Sequence, residues 1–287
     1  MKRLLLFFLF ASQVLFSSID QLPEHILKQL ESETNTEKKA DLYFKLALSY
    51  EREQEEEKAI YAFLEALDGL SSSSTTSMSE EESLLVKEAQ ELYLDLAYQK
   101  PLKIAEALQD QYLEIVSRHP DYVRLNYYLA VASANLGDFA DFFERFYHSY
   151  KRDPDNFLAH RTRGILHLKL WERAVESEER EKHRQAILSY LGKAMEKNPG
   201  DSTVYKFLIV MEESGKQHDV LKNCLPRLLK QNAPIPRGDL QFFIAEAMAI
   251  KEYNLAQQLI NKGKDWYEYS HMLTEAQDTL NREQGQR

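Results

Sequence analysis

Residues 123–156 read VRLNYYLAVASANLGDFADFFERFYHSYKRDPDN, and this stretch decides the fold. Leu129-Ala130 belongs to a first helix, Gly137 falls between helices, Phe146 marks a second helix, and Pro154-Asp155-Asn156 closes the unit. Pro120 and Pro154 stand 34 residues apart. A fixed period of that length describes helix–turn–helix pairs that stack, because one pair cannot bury its apolar face alone. Such a stack offers a surface for binding rather than a catalytic pocket.

The same grammar extends in both directions. In the stretch that begins ADLYFKLALSYEREQ, Tyr43, Leu46-Ala47 and Tyr50 share one helix face, and Ala59, Phe63 and Ala66 recur at steps of four and three on the next. Bulky residues on one helix need small ones opposite for close antiparallel packing. A second unit spans roughly 81–120, with Pro101 opening its second helix, where proline is tolerated. A fourth begins at Phe157, carries Gly164 and ends at Pro199. That unit is longer than one period, and residues 171–184, with no turn residue, read as a lengthened solvated helix. A fifth, 202–234, carries Tyr205, Leu208, Leu221, Leu225 and Leu228, and a degenerate sixth covers 238–263.

Over residues 40–263 the chain resembles the tetratricopeptide repeat family, on the Leu-Ala, Gly and aromatic positions quoted above and on Pro120, Pro154, Pro199 and Pro234 at unit ends. The resemblance implies an all-α, right-handed α-solenoid of stacked helix–turn–helix repeats with a C-terminal capping helix. The expected organisation is a lead-in helix at 19–39, the solenoid at 40–263 with a loop at 71–79, and a capping helix and tail at 264–287. Family members usually bind ligands on the concave surface of their first helices. Carried over by repeat register, that surface comprises Phe44 and Leu48, Tyr127 and Val131, Arg161 and Ile165, and Lys206 and Val210. Phe44 and Leu48 stand where a clamp for a C-terminal carboxylate would need Lys and Asn, so that mode is disfavoured. An apolar groove with Arg161 and Lys206 at one end suits an amphipathic helix or an extended apolar peptide. The resemblance implies a non-catalytic scaffold or adaptor whose partners are other proteins, with no cofactor.

The chain has 287 residues, 44% hydrophobic and 29% charged, with 9 Gly and 8 Pro, which favours a helical globular chain over a disordered one. Its net charge of −10 does not supply the basic footprint that nucleic acid requires, so no nucleic-acid partner is expected. Cys224 is the single cysteine and reads as a small buried hydrophobe. Lys2-Arg3, the apolar run Leu4–Ala11, Val14-Leu15-Phe16 and Ser17-Ser18 describe a secretory signal peptide at 1–18. Phe16 makes a poor cleavage site, so a membrane anchor and a retained core helix stay open. The expectation is export to the periplasm or the outer face of the cytoplasmic membrane, in a bacterium, with membrane contact only through an uncleaved N-terminal segment. The alternative is a cytoplasmic chaperone for secreted proteins that keeps residues 1–18.

Enzyme motifs are missing from the sequence: no GxSxG, HExxH, Walker-type loop or CxxC occurs. His160 and His167 lie seven apart, but two imidazoles fall short of a zinc site, so no metal is expected. His148, His183 and His218 read as exposed helix residues. Glu51–Glu57 reads as a solvated helix end and turn, and Glu80-Glu81-Glu82 as a helix start suited to the helix dipole. In the aromatic block from Phe139 to Tyr150, Phe139, Phe142, Phe143 and Phe146 belong to the core, and Tyr147 and Tyr150 are candidates for exposed contact.

Overall fold

Short polar side chains set where several helices begin. The side chain of Asn35 accepts from the Lys38 amide at 3.0 Å, Asp138 from Asp141 at 3.0 Å, and Asn156 from Leu158 at 2.9 Å. Each satisfies a first-turn N–H that has no acceptor within its own helix. The computed structural model describes residues 23–70, 77–96, 101–211, 217–231, 234–267 and 270–285. These are all-α, with no strand among the described residues, in agreement with the helical-repeat fold class. The segment at 1–18 lies outside them, as does most of the loop at 71–79.

The chain divides into two compact units, one from residues up to Val86 with Ala105–Pro154, the other from Lys87–Ile104 with Asp155 onward. The first contains α1 (Pro23–Ser32), α2 (Thr36–Arg52), α3 (Glu56–Leu70), a 3₁₀ turn (Val123–Leu125), α6 (Asn126–Asn135) and α7 (Phe139–Arg152). Between these, α4 (Glu80–Leu96) and α5 (Pro101–Arg118) each contribute one part to either unit. The second unit contains α8 (Phe157–Arg173), α9 (Ser177–Lys197), α10 (Ser202–Met211), α11 (Gln217–Asn223), α12 (Leu225–Leu229), α13 (Arg237–Ala249), α14 (Tyr253–Trp266) and α15 (His271–Gly285). No helix among the described residues is long and apolar enough to cross a membrane.

In the first unit α7 is covered twice. It pairs with α6 as its hairpin partner, and both helices of the first hairpin, α2 and α3, pack on it as well. Phe63 of α3 meets Phe143, Phe146 and Phe142, with ring centroids 4.4, 5.8 and 5.9 Å apart. Tyr147 stacks flat on Phe44 of α2 and donates its hydroxyl to Asp41 at 2.8 Å. Tyr147 and Tyr150, expected as exposed contacts, are therefore interior residues. An aromatic helix with two neighbours has little solvent face left, which accounts for its density of rings. Glu82, expected to serve as a charge at a helix start, is also buried. It accepts from Arg124 at 3.0 Å, while Asp153 flanks the same guanidinium at 3.5 Å.

Three hairpins turn in the same way. Gln54, Gly137 and Lys251 all take left-handed backbone, with φ of 60°, 85° and 63°. The following residue donates to a carbonyl five positions back in each case: Glu55 to Tyr50, Asp138 to Ser133 and Glu252 to Ala247, at 2.9–3.0 Å. This is the long bond of a Schellman C-cap. The α8–α9 hairpin turns differently. Residues 171–184 were expected as one lengthened helix, but α8 ends at Arg173 and α9 begins at Ser177. Ala174 is extended (φ −60°, ψ 125°), so the reversal uses neither Gly nor Pro and leaves no compositional mark. The surplus length lies in α9, and Arg180 folds its guanidinium over Trp171 across the turn.

The second unit buries Leu168, Ile187, Leu191, Val204 and Leu208 in one cluster, and Tyr205, Leu240, Phe243, Leu259, Leu273 and Leu280 in a second. Gly164 sits where α8 and α9 approach most closely: a Cβ there would lie 2.5 Å from Leu191 Cδ2. Cys224 is half-buried and packs on the second cluster.

Candidate protein-binding surface

The register-derived residues of the first unit do not form an open groove. Phe44 lies against Tyr147, with centroids 4.2 Å apart and planes within 3°. Leu48 and Val131 are buried. Tyr127 is fully buried, donates its hydroxyl to the Asp153 carbonyl at 2.8 Å and sets its ring edge-on to Phe146. The docking of α2 on α7 gives Phe44 a partner inside the protein, which a repeat register cannot reveal.

In the second unit the helices α8, α10 and α13 are joined in series by charge. Arg161 Nε of α8 lies 2.8 Å from Oδ2 of Asp201, the residue before α10. Lys206 of α10 lies 3.2 Å from Asp239 of α13, whose other oxygen accepts from Ser202 at 2.7 Å. Lys206 also sits over the Phe242 ring, 5.7 Å from its centroid. The two cations expected to face a ligand are thus held by the next helix in the series. One turn beyond them on the same helices, Ile165 is half-buried and Val210 is 49% exposed. Beside them, the half-buried Phe207 packs against the first core cluster and Phe242 against the second. Neither Asp201 nor Asp239 carries a sequence signal for its role, since each depends on which helix comes next in space.

A second polar cluster lies between α8 and α9. His183 is 2% exposed, contrary to the solvated position expected of it, and its Nδ1 lies 3.1 Å from Nδ1 of His167. Burial holds both imidazoles below their ordinary pKa, His167 down to about 4. Tyr190 stacks between His167 and His160, and Arg163 covers its ring at 4.2 Å. His160 contacts Asp155 at 2.9 Å, and the Asp155 carboxyl is held below the carboxylate range by Lys197 and then by His160. These contacts fasten one hairpin. Among the described residues no group of three or more His, Cys, Asp or Glu is arranged to hold a metal ion. His148 is exposed, and the side chain of His218 lies outside the described residues.

No protein-family model matches the chain, and no curated protein matches it. Among solved structures it is similar to a thermophilic TPR protein of Thermus thermophilus, at 16% identity and a TM-score of 0.45, covering 69% of this chain and 98% of that one.

Proposed function

We propose that this protein is a non-catalytic protein–protein interaction adaptor that holds a partner peptide or helix on the face formed by α8, α10 and α13. The observation that supports this reading is the charge-linked series Arg161–Asp201 and Lys206–Asp239, which joins the three helices in sequence while Val210 stays open to solvent. An apolar surface with a polar rim suits an amphipathic or extended partner segment. Export to the cell envelope belongs to the same proposal, supported by Lys2-Arg3 and the apolar run that follows.

A photoreactive side chain at position 210 of the full chain tests the binding face in the native host. Discrete adducts are expected from position 210, and none of the same mass from position 175, where Val175 is 95% exposed in the α8–α9 turn. Identical adducts from both positions, or none from position 210, would remove this face from consideration. Fractionation of the host cells, with mass determination of the chain, tests export independently.

A further inference from the structure

Between α13 and α15 runs an open groove of about 190 Å³. One wall presents Ile244, Ala245 and Met248, and the other Met272, Glu275 and Ala276. It stays open for a definable reason. Leu273 and Leu280 turn the other face of α15 into the core, Leu273 against Gly263, where a Cβ would lie 2.9 Å from its Cδ2. The face with Met272, Glu275 and Ala276 is left opposite α13, and the two alanines leave room between the walls. The volume is below the roughly 300–1,000 Å³ of pockets that enclose small-molecule ligands, so it suits an anchoring side chain. Met248 and Met272 supply flexible walls that adapt to such an anchor.

Charge selects the occupant. Glu275 is the charged residue lining the groove, and it contacts the imidazole of His271 at 3.5 Å, a partner that carries charge only when protonated. The carboxylate is mostly exposed, on a chain whose net charge is −10. An acidic partner would meet like charge here, whereas a Lys or Arg beside an apolar anchor would meet an opposite one. We propose that this groove binds a basic amphipathic helix of a partner protein, with one apolar side chain between Met248 and Met272 and a neighbouring cation at Glu275. The proposal rests on the adaptor reading and extends it along α13 to α15, through lining residues other than Val210.

Two fluorescein-labelled 18-residue peptides with the same Leu pattern, one otherwise rich in Lys and the other in Glu, are titrated with the full chain by fluorescence anisotropy. The Lys peptide is expected to bind about tenfold tighter than the Glu peptide. Ala245→Trp, at an exposed position, fills the groove and should abolish that binding, and Glu275→Lys should reverse the preference. Glu283→Lys, an equal charge reversal at an exposed site outside the lining, should leave the preference unchanged. Equal affinity for the two peptides, no binding of either, or indifference to Ala245→Trp overturns the proposal, as does an equal effect of Glu283→Lys. If Val210→Asp abolishes binding and Ala245→Trp does not, the adaptor reading survives and the groove assignment fails.

Discussion

Arg161 and Asp201 hold each other across α8 and the start of α10, with Nε and Oδ2 at 2.8 Å and both side chains nearly buried. Removing one member of such a pair strands the other charge in a poorly solvated site, at a cost of about 3 kcal/mol. Arg161→Ala is therefore expected to lower the urea unfolding free energy by about that amount. Arg161→Ala with Asp201→Ala should cost clearly less than the sum of the single changes. Strict additivity would show that the contact contributes nothing of its own. The same logic makes Val210 the cleaner probe of partner binding, since changing Arg161 alters the scaffold too.

Stability should fall in mild acid. Burial, and then the neighbouring His183, Arg163 and Lys182, hold the His167 pKa down to about 4, whereas the unfolded chain titrates near the ordinary value of about 6.5. Above about pH 6.5 the contribution is complete. As pH falls from there towards 4, the unfolded chain takes up a proton that the native chain refuses, and up to about 3 kcal/mol is lost. His183 is shifted in the same direction by its own burial and adds to the loss. Urea midpoints measured from pH 7.5 to 4.5 should decline less steeply in His167→Gln than in the wild type. Parallel curves would refute the assignment.

Backbone geometry at the hairpin turns gives a third expectation. Gly137 and Lys251 occupy the same left-handed position, and only glycine adopts it without steric cost. Gly137→Ala should destabilise by about 1 kcal/mol, and Lys251→Gly should stabilise by a few tenths of a kcal/mol or more. Thermal unfolding of the two variants checks the opposite signs. Destabilisation by Lys251→Gly would mean that the lysine side chain matters there more than its backbone strain.

The turns also show where sequence reading stops. The hairpin at Gly137 was legible because its left-handed residue is glycine, but Gln54 and Lys251 hide the same turn in ordinary residues. Helical periodicity located the core positions Phe63, Phe146, Leu191 and Leu208, since a repeating apolar face needs no knowledge of its neighbour. It failed for Tyr147, His183 and Glu82, whose burial depends on helices distant in sequence or on hairpin length. The candidate surface divides in the same way. Arg161, Ile165, Lys206 and Val210 fall on helices that the structure links by charge, whereas Leu48, Tyr127 and Val131 are interior. The groove between α13 and α15 left no trace in the repeat pattern, because it arises from the way α15 rotates its leucines inward.

Direct packing of the first hairpin on α7 is tested through Phe63 and Phe143, whose rings lie 4.4 Å apart at an interplanar angle of 38°. Both are buried, so either alanine variant is expected to cost about 3–5 kcal/mol through lost burial and the cavity left behind. Were the two rings in separate parts of the core, these costs would add to within about 0.5 kcal/mol. Because they share one contact, the double variant should be more stable than that sum by about 0.5–1.5 kcal/mol, the range for an aromatic pair beyond its area burial. Milder single changes, Phe63→Leu and Phe143→Leu, keep the cycle measurable if an alanine variant fails to fold. A coupling energy indistinguishable from zero in the leucine cycle would place α3 and α7 out of contact and return the first hairpin to an ordinary sequential stack.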